Sequence, residues 1–441
     1  MSADKANGSG KTDSAGKKFL FVSYIALAGD VAWQMKKEGN NVKFCVLDKE
    51  CRDIYDGFVD KVENWKEHVE WADVIVFDDV EGFGAEAEKL RKQGKLVVGG
   101  TPYSDKLEDD KGFGQEEMKS AGISILPHWV FTDFDEAIKF VEKNPDRYVL
   151  KPSGKAQDEK ELLFIGQDDD GKDLLEMLKR YKKTWAKVVK EFQLQKFASG
   201  VEVAVGAFFN GKEFIYPINV NFEHKRLFPG DTGPQTGEMG TLVYWSPPNK
   251  IFNDTLAKME PKLREAGYVG YADINCIVTS KGIYPLEFTM RMGYPHISIA
   301  LEGMLSPVGD FYHKLAAGEK PELKTKRGFQ VGVVIAVPPF PYDDYKDFKK
   351  YSEGAIVLFK KEMSEGVHLG DVKLFEGDWV LAGTIGYALV VTGSGSTVED
   401  ARRLVYNRVN NILIPNMFYR TDIGSRCTED IEKLMTWGYL Y

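Results

Sequence analysis

A glycine-rich segment at residues 230–240 follows the charged tetrapeptide at residues 223–226. Four glycines and one proline in these eleven positions disfavour a helix or an ordinary strand. Such a loop lets the backbone approach a ligand closely and turn its N–H groups toward negative charge. Lys225 and Arg226 could face the same anion, so they are candidate catalytic cations. A tight surface turn is the alternative, because a glycine-rich loop alone is weak evidence.

A second polar pattern lies on a predicted strand that carries Glu287, Thr289 and Arg291. Alternate side chains of a strand point to the same face, so we expect these three residues to share one. That face would offer hard oxygen ligands for Mg²⁺ and a planar guanidinium for phosphate. On the preceding predicted strand, Asp273 and Asn275 alternate in the same way, and one of them could supply a further oxygen ligand. These oxygens form a predicted metal site, with an ordinary polar sheet surface as the alternative.

Short apolar runs alternate with helical stretches and predict the elements that position these residues. Strands at 18–22, 42–47, 74–77 and 96–98, with a helix at 26–37, predict a parallel α/β sheet. Further strands are predicted at 148–151, 188–192, 201–208, 272–278, 283–288, 331–337, 379–382 and 387–392. Further helices are predicted at 110–121, 254–266 and 398–411.

The composition narrows the class of protein. A chain of 441 residues is too long for one ordinary core, and 43% hydrophobic with 28% charged residues is typical of a soluble globular protein. A net charge of −9 disfavours nucleic acid as a partner. No run approaches the roughly 20 apolar residues of a membrane helix. The four cysteines lack metal spacing, so we expect reduced thiols in a cytoplasmic protein. Residues 1–17 are polar and predicted to be a disordered leader or tail.

Four segments resemble phosphoribosylamine–glycine ligases, which are ATP-grasp enzymes of purine synthesis. The glycine-rich segment, with the His-Lys-Arg sequence before it, resembles the family's HKR…GPNTGGMG segment. Residues 287–293 resemble its EFNxRFG strand, although Thr289 stands where the family has asparagine. Residues 195–202 resemble its EEFLxGxE element, and residues 418–426 its C-terminal FYRxDIGxR. The resemblance extends from about residue 18 to 426.

The resemblance implies a fold with three parts. These are an N-terminal parallel α/β domain at residues 18–107, an ATP-grasp domain at 108–305 and a C-terminal β-rich domain at 306–441. The fold class is therefore α/β and α+β, and a small lid subdomain at about 125–195 would fold over the nucleotide.

The resemblance also implies ATP and Mg²⁺ (or Mn²⁺) as cofactors. Lys111 and Lys151 would bind the phosphates, although either lysine alone is more often a solvated charge. Gln195 and Phe197 would lie beside the adenine, and Glu202 would bind the ribose. An exposed strand carboxylate is the alternative for Glu202.

The implied reaction joins a small carboxylate, such as the amino acid glycine, to an amine acceptor through an acyl phosphate. Arg291 and the metal would offset charge on the transferred phosphoryl group. Arg226 and Lys225 would assist, in a monomer or small homo-oligomer without nucleic-acid or membrane partners.

Several departures fall on the amine side of the implied site. Residues 23–30 lack the glycine-rich pattern and the arginine of the family's first loop, and Asp30 would repel a phosphate if it faced the pocket. Tyr294 and His296 replace two carboxylates, and Tyr387 replaces an arginine. We therefore expect weak binding of phosphoribosylamine. The alternatives are a paralogue that uses another amine acceptor, or a degenerate nucleotide-binding homologue without ligase activity.

Overall fold

A computed structural model describes residues 16–152, 163–187, 189–362 and 365–440. Most of the predicted leader, and residues 153–162 after the predicted phosphate-binding strand, lie outside the described residues. No described helix is both long and apolar enough to span a membrane.

The N-terminal region is a five-stranded parallel sheet with strand order β3-β2-β1-β4-β5. Its central strand β1 is buried from Phe19 onward, as expected when helices cover both faces of a parallel sheet. The first helix begins three residues later than predicted, because Ala26 has a left-handed φ of 69° that a helix excludes. The elements are β1 (Lys18–Ser23), α1 (Gly29–Lys37), β2 (Asn41–Val46), β3 (Asp60–Lys61), β4 (Val74–Phe77), α2 (Phe83–Lys92), β5 (Leu96–Val98), α3 (Pro102–Asp109) and α4 (Lys111–Ser120).

A small four-stranded sheet follows, with order β6-β9-β7-β8 and a hydrophobic core of its own. Two helices cover it. The strand predicted at 188–192 begins only at Phe192 and runs to Lys196, and residue 188 is not described. The elements are β6 (His128–Phe131), α5 (Phe134–Lys143), β7 (Tyr148–Pro152), β8 (Phe164–Ile165), α6 (Lys172–Thr184) and β9 (Phe192–Lys196).

The largest unit is an eight-stranded antiparallel sheet with order β16-β15-β10-β11-β14-β17-β22-β19. Strands β12 and β13 form a separate hairpin beside it. The elements of this part of the chain are β10 (Val201–Asn210), β11 (Phe214–Glu223), β12 (Arg226–Phe228), β13 (Thr232–Gln235), β14 (Gly240–Ser246), α7 (Lys250–Asp254), α8 (Glu260–Glu265), β15 (Val269–Thr279), β16 (Gly282–Thr289) and α9 (His296–Gly303). The predicted helix at 254–266 is wrong as one element. Thr255, with φ −126° and ψ −95°, separates α7 from a 3₁₀ turn at Leu256–Met259, and Pro261 then lies in the first turn of α8.

The C-terminal region continues the same sheet, because β17 pairs with β14 and β22 pairs with β17. The predicted boundary at residue 305 therefore does not coincide with a sheet edge. The remaining elements are α10 (Val308–Ala316), β17 (Phe329–Ala336), α11 (Tyr345–Tyr351), β18 (Leu358–Phe359), β19 (Val367–Leu369), β20 (Val372–Phe375), β21 (Asp378–Leu381), β22 (Tyr387–Gly395), α12 (Val398–Val409), β23 (Ile412–Leu413) and α13 (Cys427–Thr436).

Candidate active site

A cleft of about 520 Å³ lies between the small four-stranded sheet and the eight-stranded sheet. It is lined by residues of both sheets and of the glycine-rich segment. Eight of the predicted site residues line it: Lys111, Lys151, Gln195, Phe197, Glu202, Lys225, Arg226 and Glu287. The structure thus gathers residues that are up to 176 positions apart in the sequence into one cleft.

The carboxylate of Glu287 lies among three lysines. Lys111 Nζ is 3.4 Å from Glu287 Oε2, and Lys225 Nζ is 3.5 Å from Glu287 Oε1. Lys225 also contacts Glu223 Oε2 at 3.0 Å and Glu202 Oε1 at 3.4 Å. The charge of Lys151 acts on the same carboxylate. The cluster thus places three lysines beside the carboxylates of Glu287, Glu223 and Glu202, so cations for phosphate and oxygens for a metal ion lie in one cleft.

The lysines determine the ionisation of Glu287. Burial alone would raise its pKa, but the charges of Lys225, Lys111 and Lys151 lower the pKa of Glu287 to about 2. Burial lowers the pKa of Lys151 to about 8, where Glu287 opposes the shift and Lys111 and Lys225 add to it. Glu287 is therefore ionised at neutral pH, while Lys151 carries a proton that it holds weakly.

Local structure explains how these side chains reach one point. Lys111 is the first residue of α4, whose preceding residue Asp110 caps the helix by accepting from Phe113 N–H. Lys151 lies on β7 and points into the cleft, between buried strand neighbours. Glu287 lies on β16 directly opposite Asn275 of β15.

The other end of the cleft is apolar. Val149 and Ile165 of the small sheet face Ile277 and Leu286 of the large sheet across it. A flat aromatic base fits such a slot between two sheets.

Two predicted adenine-binding residues lie at this apolar end of the cleft. The side chain of Gln195 is buried, and its Nε2 has no hydrogen-bond partner among the residues that the structure describes. A buried donor in this state is suited to a ligand acceptor. Phe197 stacks with the Arg147 guanidinium, 3.6 Å from the ring centroid, and its N–H donates to the Arg147 carbonyl.

The predicted metal ligands divide into two groups. Asn275 Oδ1 is buried without a partner in the described part of the chain, and it belongs to the residue opposite Glu287. Asn275 Nδ2 donates to Glu223 Oε2 at 2.9 Å. Mg²⁺ at phosphate-binding sites usually has one or two carboxylate ligands, together with phosphate oxygens and water. The oxygens of Glu287 and Asn275 are therefore suitable Mg²⁺ ligands, although the described residues contain no cluster of three acidic, histidine or cysteine ligands.

Asp273 and Thr289 pair with each other, two residues along each strand from the pair of Asn275 and Glu287. Asp273 Oδ2 accepts from Asn221 Nδ2 at 2.9 Å and from the Tyr271 hydroxyl at 3.2 Å. Burial and the nearby Glu223 carboxylate raise the pKa of Asp273 to about 7. These contacts direct Asp273 toward the polar interior of the sheet. Asp273, Thr289 and Asn275 are all absent from the cleft lining, and Asn275 differs in its free buried oxygen and its position opposite Glu287.

The prediction that Arg291 shares a strand face with Glu287 is wrong, because β16 ends at Thr289. The Arg291 Nε atom lies 3.1 Å from Asp79 Oδ1 and 3.2 Å from Glu108 Oε1. Arg291 thereby connects the large sheet to the N-terminal region. It does not line the cleft that contains Lys111, Lys151 and Lys225, which we call the lysine cleft. The predicted role of Arg291 at the phosphoryl group therefore has no support from this geometry.

The first part of the glycine-rich segment lies in a short hairpin, because Arg226–Phe228 pairs with Thr232–Gln235, whereas residues 236–239 are irregular. Arg226 Nη1 donates to the Gly233 carbonyl at 2.8 Å. The buried guanidinium of Arg420 binds Asp231 Oδ1 at 2.9 Å and the Arg226 carbonyl at 2.9 Å. The C-terminal motif therefore holds the hairpin against the cleft.

Sequence reasoning missed a row of polar residues beside the cleft. Asn219, Asn221 and Glu223 alternate on one face of β11, and this i, i+2 spacing was visible in the sequence. Glu238 is buried, and its Oε1 has no partner within the described ranges. Burial, and then the nearby Glu223, raise the pKa of Glu238 well above its usual range.

Comparisons with known proteins agree with this arrangement. Residues 109–297 match the family model described as phosphoribosylglycinamide synthetase, ATP-grasp (A) domain. The phosphoribosylamine–glycine ligase of Streptococcus pneumoniae is 28% identical over 349 residues, which is 77% of this chain and 80% of that protein. The same enzyme of Listeria innocua is 28% identical over 369 residues, 80% of this chain and 84% of that protein.

Solved structures show the same fold. The phosphoribosylamine–glycine ligase of Thermotoga maritima has a TM-score of 0.69 at 23% identity and covers 92% of this chain and 100% of its own. The biotin carboxylase domain of the Hydrogenobacter thermophilus 2-oxoglutarate carboxylase, in complex with MgADP, has a TM-score of 0.63 at 16% identity and covers 92% of each chain.

The fold, the cleft and these similarities define the class as an ATP-dependent ligase that forms C–N bonds. Residues 109–297 form an ATP-grasp domain of the phosphoribosylglycinamide synthetase type. ATP is its cofactor. The predictions of fold class, ligase class and ATP as a cofactor are confirmed.

Proposed function

We propose that the protein joins a small amino acid, such as glycine, to an amine through an acyl phosphate in the lysine cleft. The observation that carries this proposal is the convergence of Lys111, Lys151 and Lys225 on Glu287 beside an apolar slot. The slot would take adenine, and the lysines would take the phosphates. Mg²⁺ would be held by Glu287 and Asn275 together with those phosphates.

The reaction takes place in two steps. A carboxylate oxygen of the amino acid attacks the γ-phosphorus of ATP, the bond to the bridging oxygen breaks, and ADP leaves. The amine nitrogen then attacks the acyl carbon, and the C–O bond to phosphate breaks. Inorganic phosphate leaves with that electron pair, and the nitrogen releases a proton to water. Lys151 and Lys225 supply fixed positive charge where negative charge develops in the first step.

The curated relatives support an amino acid as the carboxylate substrate, because the matched proteins of Streptococcus pneumoniae and Listeria innocua are phosphoribosylamine–glycine ligases.

Trapping of the acyl phosphate tests this function independently of the acceptor. The protein is incubated with ATP, Mg²⁺, hydroxylamine and glycine or another small amino acid, and ADP and amino-acid hydroxamate are measured. We expect equal amounts of both products. Lys225→Met should lower hydroxamate formation at least about tenfold, because no neutral side chain replaces the lost charge.

Lys250→Met is the matched control, because Lys250 lies on α7, is not part of the cleft lining and pairs with Asp254 at 2.7 Å. It should behave as the unmodified protein. If no amino acid yields hydroxamate, or if Lys225→Met and Lys250→Met have the same effect, the proposed function is wrong. The small-oligomer and cytoplasmic assignments stay predictions.

A further inference from the structure

A second cavity, of about 140 Å³, lies between the first loop and the C-terminal region. Most of its wall is aromatic or aliphatic. It includes Ile25 and Leu27 of the loop before α1, Tyr294 of the loop before α9, and Tyr387 at the start of β22. The sequence departures on the amine side of the site thus contribute to one cavity.

Among the described residues, no cationic side chain lines the cavity, and the only carboxyl group in this lining is that of Asp371. Burial raises the pKa of Asp371 to about 8, although the Tyr387 N–H donates to it. Burial likewise raises the pKa of Cys51 to about 12. The wall is therefore largely neutral at pH 7. A phosphate dianion placed here would lose its hydration without meeting a counter-charge.

Asp30 does not alter this picture. Its side chain accepts from Ser298 Oγ at 3.0 Å and lies 2.7 Å from His368 Nδ1. It does not line the cavity, so the repulsion considered from the sequence does not arise there. What disfavours a phosphate is the absence of a cation from the lining, not the presence of Asp30.

Strand β17 connects the cavity to the glycine-rich segment: Tyr387 pairs with Ala336 of β17, and the Val334 N–H of the same strand donates to the carbonyl of Met239, next to Glu238, at 3.0 Å. The hydroxyl of Tyr387 is buried without a hydrogen-bond partner in the described ranges. After burial, the charge of Glu238 is the largest influence that raises the pKa of Tyr387. Glu238 in turn lies close enough to Glu223 and Lys225 for their charges to shift its own pKa. A polar group at the cleft end of the cavity would therefore meet Tyr387.

We propose that this cavity receives an uncharged hydrocarbon group, about the size of a benzene ring, on the amine acceptor. This inference rests on the proposed ligase function. A cavity of roughly 150 Å³ lined by apolar side chains is known to hold benzene, and the present volume of about 140 Å³ is close to that. The amine nitrogen would extend toward the cleft, with the Tyr387 hydroxyl as its hydrogen-bond partner. It would attack the acyl phosphate, forming the C–N bond as phosphate leaves and a proton passes to water.

Two amines that differ only at the far end test the proposal. Phenethylamine and O-phosphoethanolamine carry the same aminoethyl group, with a ring on one and a phosphate on the other. Each is supplied with ATP, Mg²⁺ and the amino acid that gives the most hydroxamate, and amide is quantified by mass spectrometry. We expect kcat/KM for phenethylamine to exceed that for O-phosphoethanolamine at least tenfold, or about 1.4 kcal/mol. Equal use of both amines, or preference for the phosphate, overturns the proposal.

Direct binding supplies a readout that does not need turnover. Saturation-transfer NMR should show the ring protons of phenethylamine in contact with the protein, and Leu27→Asp should abolish the signal. Leu305→Asp makes the same change at an exposed position (59% exposed) outside the cavity and should retain the signal. Circular dichroism checks that both variants are folded. Loss of hydroxamate with the ring signal intact contradicts only the ligase function, whereas absence of the ring signal contradicts the cavity assignment.

Discussion

ATP should bind more weakly as pH rises through about 8, because Lys151 then loses its proton. Burial lowers the pKa of Lys151 to about 8 in the free protein, and contact with phosphate would raise it in the complex. The protonated form is therefore the one that binds ATP well. In the free protein, the protonated fraction of Lys151 falls from about nine-tenths at pH 7 to about one-tenth at pH 9. Affinity should fall about tenfold over that range, or about 1.4 kcal/mol.

Isothermal titration calorimetry with Mg-ATP at pH 7, 8 and 9 measures this dependence. Lys151→Arg is the matched variant, because a guanidinium stays charged across the range. Its affinity should change much less than that of the unmodified protein, and the difference isolates Lys151 from other titrating groups and from ATP itself. The same slope in both proteins, or no slope in the unmodified protein, refutes the reasoning.

Three further changes test other parts of the account. Glu287→Gln should lower Mg²⁺-dependent ADP release at least about a hundredfold, because the carboxylate is a proposed metal ligand; turnover near that of the unmodified protein would remove it from the metal site. Gly206→Ala would place a Cβ 2.1 Å from the Tyr271 hydroxyl and should lower the free energy of unfolding by about 1–3 kcal/mol in urea. Gly237→Ala meets nothing within 4 Å and should change stability less; equal effects would argue against the crowding. Arg420→Met should destabilise by about 2 kcal/mol in the same assay, because it removes a buried guanidinium with two carboxylate partners; an unchanged midpoint would show that the hairpin does not depend on it.

Local pattern was sufficient for much of the fold and for the centre of the site. β1 and β4 are apolar runs bounded by polar residues, and each lies within one residue of its predicted position. The hairpin of β15 and β16 followed from two β-rich runs around a short turn, and it places Asn275 opposite Glu287 as its register requires.

Features that depend on long-range contact could not be read from the sequence. The end of β16 at Thr289 is an element boundary, the least certain part of any pattern, and it separates Arg291 from Glu287. The pairing of β17 with β14 joins regions far apart in the chain, so nothing local showed that one sheet crosses the predicted boundary. The burial of Glu238 likewise depends on surrounding elements rather than on its neighbours in sequence.

Oxygen transfer from the carboxylate to phosphate tests the central claim most directly. An acyl phosphate forms when a carboxylate oxygen attacks the γ-phosphorus, so that oxygen leaves with inorganic phosphate in the second step. With ¹⁸O-labelled glycine, or whichever amino acid gives the most hydroxamate, and phenethylamine as acceptor, mass spectrometry of the phosphate should show one ¹⁸O atom per amide formed. Phosphate that contains only unlabelled oxygen while amide accumulates would contradict the account.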